Sequence, residues 1–150
     1  ALKLKKSVIW LWPNIDAGND IISKNLRIMR ERKKNIPIKF YKNFEPEDFL
    51  KIIKKSECLI GNTSSGIREC SYLGIPFVNI GDRQDQRERG NNVIDTKIND
   101  KFISKNIQMA IKKKKKIKKS KLYGNGNAST KILKILNKID FDISKKFIIN

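Results

Sequence analysis

The most constraining feature of this 150-residue chain is its rhythm. Short apolar runs, each halted by Gly, Pro or a polar turn, alternate with longer stretches whose apolar residues recur at helical spacing. Residues 8–12 (VIWLW) form an unbroken apolar run stopped by Pro13, which suits a strand buried on both faces. From Asp20 to Lys34, Ile21, Ile22, Leu26, Ile28 and Met29 stand among charges at helical spacing, and the pattern closes before Pro37. Ile38–Tyr41 reads as a second strand. Pro46 in the first turn, among the acids Glu45, Glu47 and Asp48, opens a helix with Phe49, Leu50, Ile52 and Ile53 as its inward face. Cys58–Ile60 is a third strand, Ile67–Leu73 a short helix ended by Gly74, Pro76–Ile80 a fourth strand and Asn92–Ile94 a fifth. Asp100–Lys116 is predicted helical with Phe102, Ile103, Ile107, Ala110 and Ile111 inward, and a last amphipathic helix carries Ile132, Leu133, Ile135 and Leu136.

Strands alternating with helices build parallel βαβ units, so the expected fold class is α/β: a Rossmann-like open parallel sheet with helices on both faces. The length suits one domain, residues 1–150, with 128–150 as a carboxyl-terminal helix and tail. No apolar stretch approaches the roughly 20 residues that a bilayer-spanning helix requires. The chain has no histidine, so it can build neither a Ser-His-Asp triad nor an imidazole metal site on its own. Cys58 and Cys70 lack the spacing and partners of a metal site; reduced thiols and a cytoplasmic location are the expectation.

The formal net charge of +19 points first to nucleic acid. The cations, however, are 27 Lys and only 7 Arg, and the lysines travel with abundant Ile and Asn, as A/T-rich coding produces. Phosphate and base readout favours the bidentate guanidinium. The run Lys112–Lys116, with Lys118 and Lys119, is therefore read as a solvated helix face, and nucleic acid as an unlikely partner.

In doubly wound sheets, ligands bind beyond the carboxyl ends of the strands. Three loops lie there. In residues 61–69 (GNTSSGIRE), free N–H groups at a helix start and the hydroxyls of Thr63, Ser64 and Ser65 suit an anion, Gly66 permits close approach, and Glu69 suits sugar hydroxyls; simple capping by Thr63 or Ser64 is the alternative. In residues 81–90, Arg83, Arg87 and Arg89 either clamp a phosphate or pair with Asp82, Asp85 and Glu88. In residues 13–18 (PNIDAG), Asn14 and Asp16 serve a ligand or merely the turn. Phe44 and the backbone beside it could hold a flat base.

Taken in order, PNIDAG (13–18), NFEPEDF (43–49), GNTSSGIRE (61–69), LGIPFVNIGDRQ (73–84), RERGNNV (87–93) and KLYGNGNA (121–128) resemble the carboxyl-terminal half of the hydrolysing UDP-N-acetylglucosamine 2-epimerases of the sialic-acid type. The resemblance implies a two-domain GT-B fold with the nucleotide sugar between two Rossmann-like halves, this chain being the UDP-binding one; its start at Ala1 is then expected of a piece lacking the amino-terminal half. It implies that Asn14 lies near the nucleotide and that the main chain at Phe44 bonds uracil. Thr63 and Ser64 would bind the diphosphate with Gly66 close by, Glu69 would take the ribose hydroxyls, and Arg83 would reach the nucleotide or its leaving diphosphate. Thr63 departs from the family's usual Ser.

The implied reaction is anti elimination of UDP to a 2-acetamidoglycal, followed by water addition to release N-acetylmannosamine. Its acids and histidine would lie in the other half, leaving this chain inactive alone, and no cofactor or metal is implied. The implied partners are a UDP-sugar, the amino-terminal domain and further copies in a homo-oligomer. The alternatives are another UDP-acetamido sugar, such as UDP-diacetylbacillosamine, or a GT-B glycosyltransferase half.

Overall fold

A computed structural model of the chain describes residues 6–13, 19–32 and 37–139. Among the described residues, five strands and six α-helices follow one another as β1 (Val8–Leu11), α1 (Asn19–Arg32), β2 (Ile38–Tyr41), α2 (Pro46–Lys55), β3 (Leu59–Gly61), α3 (Ser64–Ile67), α4 (Glu69–Leu73), β4 (Phe77–Ile80), β5 (Val93–Thr96), α5 (Asp100–Lys113) and α6 (Ala128–Leu136). All strand pairings are parallel, as the alternation demands. They form two ladders, β1-β2 and β3-β4-β5, with β4 central in the second. The Lys6 ammonium, just before β1, meets the Glu57 carboxylate, just before β3, at 2.9 Å and ties the amino ends of the two ladders.

Successive side chains of β4 point to opposite faces, and each face has its own core. Phe77 is fully buried with Ile53 of α2, Ile67 of α3, Cys70 of α4 and Ile75, and Leu59 and Val93 pack beside them. Val78 packs on the other face with Ile107 and Ala110 of α5, joined by Cys58, Ile94, Ile103 and Ile111. Helices on both faces of a parallel sheet are the expected α/β Rossmann-like architecture. Full burial of one large aliphatic or aromatic side chain is worth about 1.5–3 kcal/mol. The cluster around Phe77 therefore makes a firm floor beneath the loop that leaves β3.

Several boundaries and faces differ from the sequence reading. β1 is not buried on both sides: Ile9 is 47% and Trp10 36% exposed. The aromatic residues of this ladder pack mainly on one another, with Trp10 and Trp12 each about 6.4 and 6.3 Å from the Phe40 ring. The helix expected from Ile67 begins at Ser64 and is broken at Arg68 (φ −93°, ψ −71°), although Arg68 N–H still donates to the Ser64 carbonyl. The fifth strand runs to Thr96, and the last turn of the lysine run, Lys114–Lys116, is a 3₁₀ turn. Leu50 and Phe102, expected inward, are exposed, as are Ile132, Leu133, Ile135 and Leu136 of α6. Helical spacing marks a common face; it does not say that a partner covers it. No helix among the described residues is long and apolar enough to cross a membrane.

Candidate functional site

Gly61 ends β3 at φ +147°, a backbone conformation that side-chain-bearing residues rarely adopt, and so turns the chain toward Thr63. Thr63 caps α3: its Oγ1 accepts from the Ser65 N–H at 3.3 Å, and its carbonyl accepts from the Gly66 N–H at 3.2 Å. The capping alternative is thus realised for Thr63, whose hydroxyl already has a backbone donor. Ser64, half-buried, opens the helix one position later.

Gly66 has a packing part that the sequence did not show. A Cβ built on it would stand 2.3 Å from the Phe77 ring, so the close approach that it permits is that of α3 onto β4. Its carbonyl accepts from the buried Asn92 amide at 3.0 Å, and the same amide nitrogen reaches the Ile75 carbonyl at 3.2 Å. Asn92 is a strut beneath the loop that sequence reasoning passed over. Its only outward sign was a polar residue at the entry to an apolar strand.

Glu69 begins α4, one turn beyond the hydroxyls. Its Oε2 is shielded from solvent and has no hydrogen-bond partner among the described residues. It borders a cavity of about 580 Å³ lined also by Leu50, Arg68, Tyr72, Ser120 and Tyr123. A shielded carboxylate oxygen without a donor costs on the order of 1–3 kcal/mol or more, and a ligand hydroxyl would relieve that cost. Tyr123, from the loop before α6, stands 5.8 Å beneath the Arg68 guanidinium and donates its hydroxyl to the Glu88 carbonyl at 2.6 Å.

In the loop after β4, the pairing alternative is realised for Arg89. Arg89 turns inward: it pairs with Asp95, with Asp85 at 3.0 Å and with the Gln84 carbonyl at 2.8 Å. Asp95 also accepts from the buried Asn79 amide at 2.8 Å. Of the two alternatives that the sequence left open, Arg89 takes the intraprotein pairing. Arg83 and Arg87 are exposed on the same loop. Gln84, only 3% exposed, donates its amide to the Asn62 carbonyl at 2.7 Å and so joins the loop bearing Arg83 to the loop bearing Thr63 and Ser64.

Of the other expected residues, Phe44 is half-buried against Tyr41, with ring centroids 4.8 Å apart. Asn14 and the rest of its loop lie outside the described residues. The two thiols are inert by environment. Burial, with the neighbouring Glu57, pushes Cys58 up to about 11 against a smaller opposing effect of Lys114, and burial with Glu69 and Cys58 pushes Cys70 up to about 12. Neither presents a thiolate at neutral pH.

This loop constellation lies within a recognisable family pattern. The family model described as UDP-N-acetylglucosamine 2-epimerase matches residues 1–137. The chain is 32% identical over 139 residues to a UDP-N,N'-diacetylbacillosamine 2-epimerase (hydrolyzing) of Legionella pneumophila, covering 93% of this chain and 36% of that protein. It is 34% identical over 113 residues to a UDP-N-acetylglucosamine 2-epimerase of Neisseria meningitidis, covering 73% and 28%. It is 35% identical over 94 residues to a GDP/UDP-N,N'-diacetylbacillosamine 2-epimerase (hydrolyzing) of Campylobacter jejuni, covering 63% and 24%. The chain thus spans about a quarter to a third of the length of these relatives. With its parallel α/β core and the match over residues 1–137, the chain belongs to the UDP-N-acetylglucosamine 2-epimerase family.

Proposed function

We propose that this chain is the nucleotide-diphosphate-binding part of a hydrolysing 2-epimerase acting on a UDP-linked acetamido sugar. The observation that carries the reading is Glu69: a shielded, donor-starved carboxylate oxygen one helical turn from Thr63 and Ser64, at the edge of a cavity large enough for a ribose. In this reading the Ser64 hydroxyl and the backbone at residues 63 and 64 take the diphosphate, and Arg83 approaches it from the neighbouring loop. Glu69 accepts from the ribose, and the backbone at Phe44 faces the base. Asn14 belongs to the same nucleotide site.

The chemistry assigned here is leaving-group stabilisation. Loss of UDP from C1, anti to proton removal at C2, places negative charge on the departing diphosphate, and a hydroxyl with a guanidinium is suited to hold it. Water then adds to the glycal and the free inverted sugar leaves. In this reading the carboxylate base for C2 and its accompanying histidine belong to a separate amino-terminal domain. N-acetylglucosamine is the proposed sugar, in keeping with the family description, and N,N'-diacetylbacillosamine is the second reading because the Legionella and Campylobacter relatives carry that substrate in their names.

Calorimetric titration of UDP into the chain tests the site. Binding that falls about tenfold, roughly 1.4 kcal/mol, in Ser64→Ala and in Glu69→Ala is expected; unchanged affinity in both variants refutes it. Incubating the chain joined to an amino-terminal domain with each UDP-sugar, and identifying the released sugar by NMR, decides the substrate.

A further inference from the structure

Gln84 occupies a position that stability alone does not explain. Its side chain is almost wholly buried, its amide nitrogen is committed to the Asn62 carbonyl at 2.7 Å, and its Oε1 is buried with no partner among the described residues. A half-satisfied buried amide is a cost that an apolar side chain of the same shape would avoid. What the amide secures is a geometric relation. Asn62 immediately precedes Thr63 and Ser64, while Arg83 immediately precedes Gln84, so a single hydrogen bond fixes two loops from different strands against each other. The rest of the second loop is pinned to its own strand by Arg89 on Asp95 and Asp85, and to the loop before α6 by Tyr123 on the Glu88 carbonyl. Asn92 ties the far end of the same loop to the Gly66 carbonyl, and the Gln84 bond joins the end bearing Arg83 to the loop carrying the hydroxyls.

We propose that Gln84 is a positioning residue: its amide holds the Arg83 loop at a fixed distance from Thr63 and Ser64, so that guanidinium and hydroxyl act on one anion. The proposal rests on the reading of this corner as the diphosphate site and adds to it a device that makes the two halves of the grip cooperate. Preorganisation of this kind removes the ordering cost that two independent loops would otherwise meet on binding.

A double-mutant cycle on UDP affinity tests it, with UDP titrated into the 150-residue chain, Gln84→Glu, Arg83→Ala and the double variant. Gln84→Glu keeps the shape but sets an oxygen against the Asn62 carbonyl. It is expected to weaken UDP about five- to tenfold when Arg83 is present and less than twofold when Arg83 is absent, because the residue acts through Arg83. An equal loss in both backgrounds overturns the positioning role and leaves the diphosphate site standing. Absence of UDP binding by the unaltered chain overturns the site reading and the proposal with it. Gln84→Met, neutral and close in size, replaces the Glu variant if thermal unfolding finds that one unfolded, and is expected to give the same pattern.

Discussion

Asn92 and Gly66 meet beneath the candidate site, and each is there for a reason that composition does not display. The Asn92 amide serves two backbone carbonyls, and Gly66 leaves room for the Phe77 ring. Replacing Gly66 by Ala forces the ring or the helix to move, and an unfolding loss of about 2–3 kcal/mol is expected by denaturant titration. Asn92→Leu strands two buried carbonyls and is expected to cost about 2–4 kcal/mol in the same assay. Thr63→Ala removes the cap on α3 and is expected to cost only about 1 kcal/mol. Near-neutral results for Gly66→Ala would mean that α3 does not sit on β4 as described. Sequence reasoning placed Thr63, Ser64 and Glu69 together because they share one nine-residue motif. It did not foresee the packing of Gly66, since nothing in GNTSSGIRE says that the glycine of α3 faces Phe77, a residue eleven positions away on β4.

At the level of elements, the loop between β4 and β5 is where reading and structure part most clearly. Three arginines in seven residues looked like one group, yet Arg89 is bound to Asp85 and Asp95 while Arg83 and Arg87 are exposed. The carboxylates within the loop were visible in sequence; Asp95, the partner on β5, became a partner only through strand pairing. Arg89→Ala is expected to lower stability by about 1–2 kcal/mol, because three partners are lost together, and to speed amide exchange across residues 81–91. Arg87→Ala is expected to change stability by less than about 0.5 kcal/mol. The reverse order, measured by thermal melts and hydrogen exchange, would contradict the described pairing. The helices were legible because their period repeats for several turns. Which of their apolar faces are covered was not, as Leu50, Phe102 and the exposed α6 residues show.

For the whole molecule, the parallel α/β core followed from the alternation of runs, since parallel strands require crossovers of helical length. The same topology is what directs the proposed site to the loops beyond the carboxyl ends of β3 and β4. Alkaline behaviour offers a check on the core. Both thiols titrate higher in the folded chain than the ordinary value of 9.0, so the unfolded chain loses these protons first as pH rises. Stability carried by the thiols is therefore intact below about pH 9 and is lost between pH 9 and about 11 to 12, the sign required when folding raises the pKa. A shallower loss in Cys70→Ala over that window, followed by circular dichroism, is the expected outcome.

The central claim, that the loops beyond β3 and β4 together hold a nucleoside diphosphate, is tested most directly by titrating UDP into labelled protein and following backbone amide shifts. Saturable shifts concentrated in residues 61–69 and 81–84 are expected. Shifts confined to the lysine run at 112–119, or none at saturating UDP, would contradict it.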